Sequence, residues 1–312
     1  MAHLLSTATI TATGLLCKAF LNSGLCSITV SNLPILLNAI RNDERRRHGQ
    51  GVVTVANHIS TLDDPLVWGT LPMELFLNSN TTRWSLGASE IMFTNPLFSA
   101  FFRKGQVIET FRGNGIFQPS VDIAIKRLNE GHWVHLFGEG KVNQPLDYPR
   151  TNGAARLPRF KWGVGRILME TAVPPLIIPM WLTGFDKLMP EHRSFPYKYF
   201  PKLGIKLGVA FGDPIPVKEI MAALSALSRS HVPLVAEDGV ASKLGEEFHS
   251  GGWVGRTVMQ AGERFAPGRD VMKRKRQSEM DAVRSDVTAI VQRAVEALGT
   301  QVSDNHLNKS HS

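Results

Sequence analysis

From Gly51 to Gly212, short apolar runs alternate with stretches whose apolar residues recur every three or four positions. GVVTVA (Gly51–Ala56) is a β-branched run after a charged turn, the pattern of a buried strand. Arg83–Ala88, WVHLF (Trp133–Phe137), PLIIPMWL (Pro175–Leu182) and IKLGVAFG (Ile205–Gly212) predict further strands. Between them, Asp64-Pro65 has the form of an N-cap with proline at the first helical position, opening a helix through LVWGTL. Pro119–Asn129 sets Val121, Ile125 and Leu128 on one helical face and closes at Gly131. Phe160–Thr171 predicts another helix. The alternation predicts an α/β domain without fixing its strand order.

Outside this region the pattern changes. Met280, Val283, Val287, Ile290, Val291, Ala294 and Leu298 fall on one stripe of a C-terminal amphipathic helix. Pro145–Pro158 is rich in turn formers and predicts a surface loop. The expected division is an apolar N-terminal membrane-associating segment (1–48), an α/β domain (49–227), an insertion or linker (228–278), the amphipathic helix (279–299) and a disordered polar tail (300–312).

Lys18 is the only charged residue from Leu4 to Ile40. Ala19–Ile40 has the length of a spanning helix, but Asn22, Ser27, Asn32 and Asn38 dilute it and Pro34 interrupts it. Such a stretch suits an interfacial position better than a full crossing. A buried apolar hairpin is the alternative. A compact signal sequence is missing, and no arginine precedes Arg41 as a mitochondrial presequence would require.

The formal charge of +8 suits an anionic partner. It gathers at Arg45–Arg47 and Lys273–Arg276 without interleaved aromatics, which argues against a nucleic-acid binder. Two cysteines and no ligand-spaced cluster imply neither a disulfide framework nor a bound metal.

Candidate chemistry starts at Asn57-His58-Ile59-Ser60-Thr61-Leu62-Asp63, directly after the first strand. On a continuous helix His58 and Asp63 would point apart, but the residues between them are turn formers. A loop can fold Asp63 onto the imidazole, fix its tautomer and raise the basicity of the other nitrogen. Spacing alone leaves open whether His58 is a base or only caps a loop. No nucleophile elbow is present, so a covalent acyl-enzyme is not suggested. Phe137-Gly138-Glu139-Gly140-Lys141, at the exit of the WVHLF strand, offers backbone N–H groups and Lys141 to a phosphate, or is only a turn. Arg112-Gly113-Asn114-Gly115 is a second phosphate candidate or a solvated loop.

NHISTLD matches the NHxSxxD hallmark of the glycerophospholipid acyltransferase superfamily, which the chain resembles. NHISTLDDPLVWG, GNGIFQPSVDIAIKRLNEGHWVHLFGEGKVN, RFKWGVGRILME and LIIPMWLTGFDKLMP resemble its tafazzin branch, in order, over about residues 50–215. Gly138 stands where the family usually has proline. The resemblance implies a mixed central sheet wrapped by helices, with His58 as general base and Asp63 orienting it. It also implies that Glu139 and Gly140, with Arg112 and Lys141, hold the acceptor's glycerol-phosphate part. It implies exchange of acyl chains between phospholipids and lysophospholipids, cardiolipin remodelling with monolysocardiolipin as acceptor. No coenzyme A or other cofactor is expected. The expected place is a mitochondrial membrane surface facing the intermembrane space. An acyl-CoA-dependent lysophosphatidate acyltransferase, or a non-catalytic lipid-binding membrane protein, are the alternatives.

Overall fold

The computed structural model describes residues 2–151, 153–222, 252–253 and 269–310. The strands are β1 (Cys26–Ser31), β2 (Val52–Ala56), β3 (Trp84–Ala88), β4 (Val107–Thr110), β5 (Trp133–Phe137), β6 (Arg150–Thr151), β7 (Ala154–Ala155), β8 (Leu176–Thr183) and β9 (Ile205–Phe211). Among the described residues they form one seven-stranded sheet in the order β1-β9-β8-β2-β5-β3-β4, and a small β6-β7 hairpin. β8, β2, β5, β3 and β4 run parallel; β9 is antiparallel to β8 and carries β1 parallel to itself. The C-terminal ends of β2, β5, β3 and β4 therefore share one edge, where ligands bind in open α/β sheets. The sheet is mixed, as expected.

β2 lies at the centre and all five of its residues are buried. β-branched valines suit a strand enclosed on both faces. β8 contains Pro179, which can donate no ladder bond. The strand accommodates it by changing partner: β8 pairs with β2 up to Pro179 and with β9 from Met180 onward.

The helices are α1 (Ala2–Asn22), α2 (Leu33–Arg41), α3 (Asp43–Arg47), α4 (Asp63–Trp68), α5 (Ser89–Met92), α6 (Pro96–Lys104), α7 (Pro119–Asn129), α8 (Trp162–Met169), α9 (Phe185–Leu188) and α10 (Arg269–Ser310). α1, α4 and α6 pack together, and α4 sets Trp68 edge-on against Trp133 and His135 of β5. α7, α8 and α10 cover the other face. Arg127 of α7 lies over Trp84, which pairs with Val134, and Val134 points opposite to Trp133 and His135. α10 meets α8 so closely that a Cβ at Gly165 would lie 2.4 Å from the Arg284 carbonyl.

Several boundaries differ from expectation. Residues 1–48 are not one membrane segment: β1 is hydrogen-bonded into the sheet, and α2 buries Leu36, Ala39 and Ile40 in the core. α1 alone is the long apolar element, and it begins well before Ala19. Within the first basic run, Arg45 is buried and donates to the carbonyls of Ala39 (3.0 Å) and Gln50. β4 was not predicted, being short and ended by Glu109 and Thr110. The region 228–278 lies largely outside the described residues. Trp253 within it docks on α8, donating to Thr171 and Leu168 carbonyls at 2.8 and 2.7 Å. The expected tail continues α10 to Ser310, since nothing after Gly299 breaks a helix already nucleated.

Candidate active site

Asn57 locks the chain as it leaves β2. Its amide donates to the Leu182 carbonyl (3.0 Å) and accepts from the Leu182 N–H (2.8 Å). A side chain thereby continues the β2–β8 ladder beyond Pro179. Both polar groups of this buried amide are partnered, so no desolvation penalty remains.

The next six residues turn back on themselves. Asp63 opens α4 rather than preceding it, and its carboxylate points back into the loop. Oδ2 accepts from the Ile59 N–H (2.7 Å), the Ser60 N–H (2.8 Å) and His58 Nδ1 (3.0 Å). The loop that the turn formers suggested thus brings the two together. Asp64, expected as an N-cap, instead pairs with Arg83 and accepts from Trp68 Nε1 (2.7 Å). It fastens α4 to the start of β3.

Asp63 is 0% exposed. Burial pushes its carboxyl above the ordinary carboxylate range, against the pull of His58 and the Ser60 and Ile59 N–H groups. A poorly solvated carboxylate gains most from a neighbouring positive charge, so Asp63 is placed to stabilise charge that develops on the His58 ring during proton transfer. Because Nδ1 is engaged, Nε2 is the nitrogen left for a substrate. The His58 side chain is 19% exposed and its ring stacks on Phe137, with centroids 3.9 Å apart.

Phe137 stands on His135, edge to face at 4.5 Å. Trp133 Nε1 donates to Thr54 Oγ1 (2.9 Å), and the same hydroxyl is hydrogen-bonded to His135 Nδ1 (2.8 Å). Burial holds His135 down at about 3, a neutral imidazole. A neutral column of Thr54, His135 and Phe137 therefore supports the reactive ring without adding charge beneath it.

Glu139 holds the other side of the loop. Oε1 accepts the His58 backbone N–H (2.9 Å) and Oε2 accepts Asn143 Nδ2 (2.6 Å), while Asn143 N–H donates to the His58 carbonyl (2.8 Å). Glu139 is 2% exposed, and burial raises its carboxyl to about 7. In this arrangement both its oxygens are committed to the loop, not offered to an acceptor. Gly140 adopts φ 72°, a conformation suited to glycine, and its N–H closes a turn onto Phe137. Lys141 is exposed beside it. Gly138 is tightly enclosed: a Cβ there would lie 2.4 Å from the Phe160 ring, and its N–H donates to Ala56 (3.3 Å).

His58, Asp63, Glu139 and Gly140 thus meet at one edge of the sheet. Arg112 follows β4 on the same edge, three strand positions from β2, about 14 Å away by strand spacing. It is exposed and lies 3.2 Å from Glu90. Asn57, Asn143 and His135 were not foreseen. A histidine in an otherwise apolar strand and an asparagine beside the hallmark histidine were the available signals.

A lipid acyltransferase is the class of protein that this fold and His/Asp site define. The acyltransferase family profile matches residues 38–183. Taffazin of Dictyostelium discoideum is 37% identical over 222 residues, 70% of this chain and 72% of that protein. Tafazzin of Drosophila melanogaster is 38% identical over 180 residues, 58% of this chain and 44% of that protein. N-acylphosphatidylethanolamine synthase of Arabidopsis thaliana is 37% identical over 206 residues, 65% of this chain and 69% of that protein. The chain belongs to the tafazzin family of acyltransferases. A crystal structure of the 1-acyl-sn-glycerophosphate acyltransferase of Thermotoga maritima aligns with a TM-score of 0.46 at 19% identity, covering 84% of this chain and 81% of that one.

Proposed function

We propose that this phospholipid acyltransferase is a transacylase, moving a fatty acyl chain from an intact phospholipid to a lysophospholipid hydroxyl with His58 as general base. The observation that carries the reading is the His58 Nδ1–Asp63 Oδ2 contact of 3.0 Å, with the carboxylate fully buried and the second nitrogen uncommitted to it. His58 Nε2 takes the proton of the acceptor hydroxyl as its oxygen attacks the donor's ester carbonyl. The tetrahedral intermediate collapses by breaking the bond to the donor's glycerol oxygen. The imidazolium returns the proton to that oxygen, leaving a lysophospholipid and an acylated acceptor. An alkoxide is a poor leaving group, so this protonation is required. Asp63 stabilises the imidazolium throughout. No cofactor enters.

By resemblance to its family, the acceptor is monolysocardiolipin, the product cardiolipin, and the place of action a mitochondrial membrane surface facing the intermembrane space. Arg112 and Lys141 are the cations on this edge suited to the acceptor's phosphate, while Glu139 acts through His58 as a positioning residue. Purified full-length protein with acyl-labelled phosphatidylcholine and monolysocardiolipin, with and without coenzyme A, tests the reading. Labelled cardiolipin without coenzyme A is expected. Strict dependence on acyl-CoA would replace it with a lysophosphatidate-type acyltransferase. The Arabidopsis relative's name adds an amine acceptor to be tested. Label appearing only on the nitrogen of added phosphatidylethanolamine would overturn the hydroxyl acceptor.

A further inference from the structure

The segment between α9 and β9 has no part in the His58 chemistry, yet it is built beside it. Gln144 Nε2 donates to the carbonyls of Ile59 (3.3 Å) and Met189 (3.2 Å), and Gln144 Oε1 accepts the Glu191 N–H (3.2 Å). One side chain thus fastens the catalytic loop to the start of this segment. Arg193 closes it onto the Phe200 carbonyl (2.6 Å), and Lys202 N–H donates to Leu188 (2.8 Å).

What this anchored segment presents outward is apolar. Phe195 is 76% exposed, Tyr197 66%, Tyr199 63%, Phe200 62% and Leu203 60%. Arg193, Lys198 and Lys202 alternate with these rings, and no carboxylate lies between Glu191 and Asp213. Arg193, Ser194, Tyr197, Phe200, Pro201 and Lys202 line a shallow hollow of about 450 Å³. Gly204 N–H donates to the carbonyl of exposed Leu25 (2.8 Å), in the turn between α1 and β1, so the patch continues toward the turn that follows the apolar helix. Because β8 runs parallel to β2, the segment leaves the sheet at the edge that carries His58.

We infer that residues 193–203 dock the catalytic edge onto a bilayer bearing anionic phospholipids. Aromatic rings with one apolar and one polar end settle at the headgroup level, and lysines beside them meet the negative surface. Charge complementarity selects this occupant, since the exposed rings are flanked by cations alone. Docking here turns the His58 edge toward the lipids, so the inference deepens the acyltransferase reading and rests on it for its purpose.

Full-length protein carrying an environment-sensitive fluorophore at Phe195→Cys tests the inference. The native Cys17 and Cys26 are buried. Vesicles of phosphatidylcholine with phosphatidylglycerol should shift the emission to the blue, and brominated acyl chains should quench it. A fluorophore at Arg47→Cys, at the opposite edge, should do neither. Lys198→Gln with Lys202→Gln should weaken binding to these vesicles on the order of tenfold or more, leaving affinity for pure phosphatidylcholine vesicles nearly unchanged. Turnover of a monomeric short-chain lipid should be unaffected. Vesicle binding with an unshifted Phe195 label would overturn the inference, as would unchanged binding by the double variant. Absence of acyl transfer in the wild type would instead defeat the proposed activity, since vesicle binding is read separately.

Discussion

Asp63 and Glu139 are both buried carboxyls, but they meet His58 differently. Asp63 touches the ring and Glu139 the backbone. His58→Ala should lower acyl transfer about 10²–10⁴-fold, the usual contribution of a general base, with melting temperature and vesicle binding retained. Asp63→Asn should cost a comparable factor, because an amide cannot balance an imidazolium. Near-wild-type rates in a folded Asp63→Asn variant would reduce Asp63 to a loop cap. Glu139 carries a pH signature instead. Its folded pKa of about 7 exceeds the ordinary 4.5 because burial disfavours the charged form. The folded protein therefore holds the extra proton between those values, and stability falls as pH rises through this window, by a total on the order of 3 kcal/mol. Glu139→Gln should flatten that slope in denaturant titrations between pH 4.5 and pH 7. An unchanged slope would show that Glu139 is not the titrating group.

At the scale of elements, α1 has the length and composition of a membrane span from His3 to Asn22. It is nevertheless fastened along its length. Ser6 donates to Lys104 (2.7 Å), Thr11 donates to Phe76 (2.8 Å), Gly14 abuts the Phe76 ring, and Cys17 lies beside Gly69. A helix so docked leaves Leu4, Leu5, Leu15 and Leu16 exposed on its outer face, and we propose that this face lies flat on a bilayer. Leu4→Gln with Leu16→Gln should weaken vesicle association roughly tenfold or more without lowering the melting temperature. Deleting residues 2–22 should lower it, because Ile10, Cys17 and Leu21 are buried. Unchanged association in the double variant would make α1 purely structural. The strands at the sheet centre were legible in the sequence because complete burial leaves continuous β-branched runs. β1 does carry a period of two, with Cys26, Ile28 and Val30 alternating with Ser27, Thr29 and Ser31, but the uncharged stretch around it masks so short an edge strand. The His58 loop was legible through its turn formers, but Asn57 and Asn143 act through contacts far apart in the chain, which spacing cannot reveal.

For the molecule as a whole, the proposed chemistry exchanges one oxygen ester for another and is nearly balanced. Transfer should therefore run in both directions in a single assay. Labelled cardiolipin and lysophosphatidylcholine should yield labelled phosphatidylcholine, and the product mixture should follow the lipids supplied. Transfer in one direction only, with both acceptors bound, would contradict an ester-to-ester exchange.

The enclosure of Gly138 by Phe160 has a historical consequence. Position 138 is locked for as long as the Phe160 ring stands against it. Proline at 138, expected there from the family resemblance, would drive its Cβ into the aromatic ring and remove the N–H donated to Ala56. A lineage passing between the two states must therefore first shrink or displace the residue at 160, and the intermediate carries a cavity. Gly138→Pro alone should cost at least about 2 kcal/mol of stability, while adding it to Phe160→Ala should cost distinctly less than it does in the wild-type background. Additive losses in thermal unfolding would mean that the ring yields freely, and that the order in which the two sites changed was unconstrained.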